Sequence, residues 1–287
     1  MPPFLRAELL RPDGLIARLV ALRDQAGIQD KEIAARLGND PSKISRIRRG
    51  QTPSKADVRV WAEACGADDA TVAELLTMLD AAHERARVRS YSERRDQASD
   101  QQEYTNLHEQ SHRIQEFQLA VIPGMLQTRA YAYRMFSEVA AIHNQLNEPE
   151  AINAATIARL ARQPLLYDEG RDYEFLIDEP VLRRLLISTQ AQRAQLDRLQ
   201  TALDLPNVRF GIIPQDTELG GVPWLPVTVF HGEETIAAIE SPSQEHFYSG
   251  AEADPFIRMM DRLWSTAVEG DAARQLILAA RNALPLH

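Results

Sequence analysis

Ser42, Lys43, Ser45, Arg46 and Arg49 crowd hydroxyl, ammonium and guanidinium groups into one short stretch of the chain. Those groups suit a nucleic acid. An arginine can donate two hydrogen bonds to guanine O6 and N7, and serine can donate to or accept from several base edges. Lysine, serine and a second arginine can hold backbone phosphates, which fixes register without reading sequence. On that chemistry Arg46 is the candidate base reader, with Ser42 one turn earlier. Lys43, Ser45 and Arg49 are candidate phosphate contacts, joined by Gln29 and Lys31 from the segment just before.

Two short helices must position these groups. Ile33, Ala34 and Leu37 fall at helical spacing, Gly38 can end that helix in a left-handed turn, and Asp40 followed by Pro41 reads as an N-cap with proline at N1. At about 100° per residue, Ile44 and Ile47 then share one side of a second helix, and Ser42, Ser45, Arg46 and Arg49 share the other. The turn between them is too tight for anything but a helix-turn-helix.

The surrounding stretch, LVALRDQAGIQDKEIAARLGNDPSKISRIRRGQTPS, resembles the lambda-repressor-like (Xre-type) DNA-binding domain. That resemblance implies a five-helix head over about the first 80 residues, closed by two helices in DVRVWAEACGADDATVAELLTML. Two positions depart from the family, which usually has glutamine at Asp30, a phosphate-contacting position, and glutamate at Arg48. Aspartate cannot donate to phosphate, so the resemblance moves that contact to Gln29 or Lys31. Further on, VIPGMLQTRAYA, ARLARQPLL, YEFLIDEPVLRR and QLDRLQTALDLPNVRFGIIP resemble a long C-terminal domain of uncharacterised function. It is carried by many actinobacterial Xre-type regulators, often described as antitoxin-like and often encoded beside a small partner protein. The resemblance implies a protein or small-molecule input.

Charge divides the chain in the same way. Residues 1–65 hold twelve basic and eight acidic side chains, a net +4, whereas the remainder holds 20 basic and 33 acidic, a net −13. The total of −9 would by itself argue against nucleic acid, but a phosphate backbone meets the local field of the head. With 287 residues, 44% of them hydrophobic, the chain can bury the cores of about two domains. The single cysteine, Cys65, excludes an internal disulfide framework, suits a reducing cytoplasm and reads as a small core residue. No apolar run reaches the roughly 20 residues that span a bilayer, and Arg6, Glu8, Arg11 and Asp13 interrupt any signal-peptide pattern.

Division into a head (1–83), a linker or exposed helix (84–104) and a regulatory body (105–287) follows from composition. Arg85, Arg87, Arg89, Arg94 and Arg95 make the linker basic, as a solvated face usually is. From Tyr104 the spacing of Leu107, Ile114, Phe117 and Val121 predicts one helix ending at Pro123-Gly124, then helices at about 128–141 and up to Gln163. Segments 173–177, 208–213, 226–231 and 235–240 are rich in β-branched and aromatic residues and predict strands, the last two joined by a turn at 232–234. Helices near 179–187 and 190–204, and two more at the end, complete an α+β body with a small, mostly antiparallel sheet covered by helices.

Other constellations could carry catalysis. His108-Glu109-Gln110-Ser111-His112 spells HExxH, which on a helix sets two zinc-binding imidazoles on one face. No third ligand follows at a recognised spacing, and the segment reads better as a solvated helix flank. Asp178-Glu179 could pair for acid/base work but more simply starts a helix, and Gly220-Gly221 lacks the lysine and helix of a phosphate cradle. Trp224, Phe230, Phe247, Tyr248 and Trp264 read as core. The expectation is a non-enzymatic, cofactor-free and metal-free transcriptional regulator that binds double-stranded DNA, acts as a homodimer in the cytoplasm and senses a ligand or small partner through its body. An antitoxin-like protein that sequesters a small partner is the alternative, and a metal-dependent hydrolase on HExxH the third.

Overall fold

The computed structural model describes residues 5–37, 41–90, 97–143, 149–241 and 244–285, and divides the chain into two compact units, 1–89 and 90–287. Gly38, Asp40, Arg94, Arg95, Asn147 and Glu148 lie outside the described residues, as do the side chains of Arg87 and Arg89.

Among the described residues of the first unit six helices follow in order: α1 (Leu5–Leu9), α2 (Leu15–Ala26), α3 (Asp30–Arg36), α4 (Pro41–Arg48), α5 (Lys55–Ala64) and α6 (Asp69–Arg87). The added element beyond the five expected is α1, whose Leu5 and Leu9 are fully buried as it packs on α6. Ser54 starts α5 through a reciprocal cap, its hydroxyl accepting from the Asp57 N–H while the Asp57 carboxylate accepts from the Ser54 N–H. Leu15, Leu19, Ile33, Ile44, Val58 and Trp61 are all at most 1% exposed. The Trp61 indole donates to the Leu19 carbonyl at 3.1 Å, so even the largest core side chain leaves no buried donor open. Cys65 is half-buried at the end of α5, where burial raises its thiol pKa.

The second unit corrects the expected fold. Its elements are α7 (Gln97–Gln110), β1 (Arg113–Gln118), α8 (Arg129–Ile142), α9 (Pro149–Arg162), β2 (Asp172–Asp178), α10 (Pro180–Arg183), α11 (Thr189–Ala202), β3 (Val208–Ile213), β4 (Val227–His231), β5 (Thr235–Glu240), β6 (Gln244–Ser249), α12 (Asp254–Trp264), β7 (Val268–Glu269) and α13 (Gly270–Asn282). These seven strands run in the order β6-β5-β4-β1-β2-β3-β7. β1, β2 and β3 pair in parallel, and the flanking strands pair antiparallel. The sheet is therefore mixed, neither small nor mostly antiparallel. Parallel neighbours need long crossovers, and α8 with α9, then α10 with α11, supply them.

Strand β1 stands where the spacing predicts a helix. Ile114 and Phe117, three residues apart, imitate a helix period, yet they lie on opposite faces of a strand. Gln115 and Glu116 between them are 1% and 6% exposed, so this strand shows no alternation of apolar and polar residues. Hydrogen bonding tolerates them there: Gln115 donates to Glu174 at 2.9 Å, and Glu116 accepts from Gln118 at 3.0 Å. One face of the sheet packs Phe117, Leu176, Val227 and Val229 against Met260, Leu263 and Trp264 of α12. Gly211 admits that helix, because a Cβ there would stand 2.3 Å from the Trp264 ring.

Candidate nucleic-acid interface

Helix α4 is held to its neighbours by Ile44 and Ile47, which are 0% and 2% exposed and share an interior with Ile33 and Ala34 of α3. That anchoring turns Ser42, Arg46 and Arg49 outward to solvent. Ser45 is half-buried, and its hydroxyl accepts from the Arg49 guanidinium at 2.6 Å. The helix ends at Gly50, whose φ of 99° is left-handed. A side chain at Gly50 would also strike Arg6, which donates from Nε to the Arg49 carbonyl at 3.1 Å. Gln29 and Lys31, at the start of α3, are exposed. Glu32 accepts from the Gln29 backbone N–H at 3.2 Å and so fixes that helix start.

Lys43 is placed differently. Its ammonium lies 2.6 Å from the Asp57 carboxylate, the lysine side chain half-buried and the aspartate buried. Asp57 also closes the N-cap of α5, so Lys43 ties the exposed helix to the next one. Burial alone would raise the Asp57 pKa, but hydrogen bonds from Lys43 and Ser54 outweigh it and hold the carboxyl below its ordinary value. A cation committed in this way has less to give to phosphate than an exposed one.

Asp30 and Arg48, the two departures from the family pattern, face each other. The Asp30 carboxylate accepts from Arg48 at 3.0 Å on one oxygen and from Arg23 at 2.6 Å on the other. Burial works to raise the Asp30 pKa, and the two guanidiniums, Arg23 foremost, more than reverse it. One ion-paired network thereby links α2, α3 and α4. Sequence spacing did not reveal it, although opposite charges at the two departing positions were the available signal.

The remaining candidates fall apart as sites. HExxH straddles the end of α7, with His112 beyond the helix and exposed. His108 is not on a solvated flank: it is 3% exposed, edge-on to Phe230 at 5.3 Å and stacked with Tyr173 at 5.9 Å. Burial, and then Arg162 and Arg171, push its pKa well below the ordinary value, so the imidazole is neutral. Among the described residues no group of three or more histidine, cysteine or carboxylate side chains could hold a metal ion. Glu179 accepts from Arg183 and from the Gln215 backbone N–H, a structural use at the start of α10. Arg262 donates to the Gly220 carbonyl at 2.9 Å, filling that loop. Phe230, Phe247 and Trp264 are buried and Tyr248 half-buried, but Trp224 is 77% exposed and is not core.

A short helix anchored by its apolar side, with serine and arginine facing out, beside a second short helix, defines a helix-turn-helix protein, the class of DNA-binding regulators. Residues 15–75 match the model of a helix-turn-helix domain. Residues 101–279, more than half of the chain, match a domain of unknown function, DUF5753, and the chain belongs to that family. No curated protein matches it. No helix among the described residues is long and apolar enough to cross a membrane.

Proposed function

We propose that this chain is a sequence-specific transcriptional regulator of the Xre type, acting in the cytoplasm, that reads DNA with the outward face of α4. One observation carries the reading: Ile44 and Ile47 are buried while Ser42 and Arg46 on the same helix are exposed. Arg46 reads a base with Ser42 beside it, and Gln29, Lys31, Ser45 and Arg49 position the duplex. Lys43 supports α4 through Asp57. The body supplies dimerisation and the input, a ligand or a small partner protein, which changes DNA affinity by favouring one arrangement of the heads over another.

A second reading, sequestration of a small partner in the manner of an antitoxin, draws support from the loop 214–226. There Leu219, Val222 and Trp224 are 43%, 58% and 77% exposed, an apolar surface of the kind proteins cover with other proteins. Selecting bound duplexes from a random-sequence pool with the full chain separates the two readings. A regulator enriches a motif repeated as two half-sites about one helical turn apart. An unchanged pool after repeated selection would leave sequestration as the main task.

A further inference from the structure

Between α7, α8, α9 and the sheet, the second unit holds a partly open cavity of about 130 Å³. Arg162 lines it, only 4% exposed, and donates to three neutral acceptors: the Met125 sulfur at 3.3 Å, the Gln101 carbonyl at 3.2 Å and the Gln101 side-chain oxygen at 3.5 Å. Among the described residues no carboxylate contacts it directly, and the attraction of buried Glu116 acts on it only from a distance, although a buried charge is costly without a paired counter-charge. Arg159 converges on the same Gln101 oxygen at 3.1 Å and lies 4.2 Å over the Phe136 ring. Burial, and then Arg159, push the Arg162 pKa down to about 10, which leaves the group charged at neutral pH. The buried carboxylates of the lining have hydrogen-bond partners other than Arg162: Glu116, which attracts both arginines without contact, accepts from Gln118 and the Gly124 N–H, and Glu245 accepts from the Tyr104 hydroxyl. On the same wall the Nδ1 of fully buried His108 has no hydrogen-bond partner.

We propose that this cavity binds a small organic monocarboxylate, its carboxylate on Arg162 and its apolar body against Phe136, Met135 and Val139. A guanidinium has five N–H donors, so two on Arg162 remain for a carboxylate. Inorganic phosphate fits less well, because a dianion would face Glu116 and Glu245 and leave the apolar wall unfilled. The volume suits a body about the size of a benzene ring. This deepens the reading of the body as the input unit and names the class of its ligand.

Titration calorimetry on the full chain tests it with hexanoate, hexan-1-ol and inorganic phosphate as probes. Hexanoate should bind at least about tenfold tighter than either of the others. Val139→Trp, which fills the space and leaves both arginines, should abolish binding with the circular dichroism spectrum unchanged. Arg162→Met, where it folds, should level hexanoate with hexan-1-ol. The proposal is overturned by equal binding of acid and alcohol, by phosphate binding as tightly as hexanoate, by hexanoate binding to Val139→Trp as to the parent chain, or by no heat with hexanoate to about 10 mM. DNA is absent from this experiment, so its failure and failure of the DNA-reading proposal are told apart.

Discussion

Asp30 shows how much one carboxylate can organise when two guanidiniums reach it from different helices. Removing it frees Arg48 and leaves Arg23 paired with Asp24 alone. Asp30→Asn should therefore lower the stability of the head by under about 1 kcal/mol, given that the side chain is 38% exposed. The lost pair also has a pH signature. A carboxyl whose folded pKa lies below its unfolded value stabilises the fold fully above the unfolded value, and that stabilisation fades as pH falls through the folded one. Asp30 and Asp57 are both lowered, so the head should lose thermal stability below about pH 4. Combining Asp30→Asn with Asp57→Asn should flatten that fall in a series of melting curves; an equally steep fall in the double variant would contradict the assignment. Lys43→Ala tests the neighbouring pair. It should cost about 1 kcal/mol of head stability while the slope of log affinity against log salt stays put, whereas losing a phosphate contact lowers that slope by about 1.

Among the elements, α4 and β1 show where sequence reasoning reaches and where it stops. The anchors of α4 were legible because Ile44 and Ile47 sit on one stripe and the remaining positions are polar, so a single period explains all of them. Strands β3 and β5 were legible for a similar reason, as dense runs of β-branched residues. In β1 the only two apolar residues fall three apart; its buried Gln115 is held by Glu174 and His231 from distant parts of the chain, and its buried Glu116 by Gln118 and the Gly124 N–H. β6, with the sequence QEHFYS, offered too little apolar content to announce itself. Losing β1 hid its parallel pairing with β2, whereas the parallel β2–β3 pair joins two expected strands separated by helices and was overlooked. In the candidate site, the outward residues of α4 could be read from helical spacing, but the pairing of Lys43 with Asp57 depends on how α4 meets α5. Packing of the sheet gives a direct check. Gly211→Ala would drive a methyl group into the Trp264 ring, and we expect a cost of about 1–3 kcal/mol, seen as a lower melting temperature of the full chain. An unchanged melting temperature would mean that α12 lies farther from β3 than described.

The molecule as a whole separates a mildly basic head from an acidic body, residues 1–65 carrying a net +4 and the rest −13. A single small head buries too little DNA for tight selective binding, and paired heads gain affinity by reading two half-sites. A chain ending at Arg89 should fold, remain a monomer in sedimentation and bind one half-site weakly. Dimerisation of that shortened chain would move assembly from body to head. The central claim, that the chain reads sequence through the outward face of α4, is tested most directly with Arg46→Ala. Its affinity should be measured against the selected operator and against every single-base variant of one half-site. The account predicts a loss of about 1–3 kcal/mol on the operator together with loss of discrimination at one base pair, all other positions remaining as selective as before. An equal loss of affinity for every sequence, with discrimination intact throughout, would contradict it.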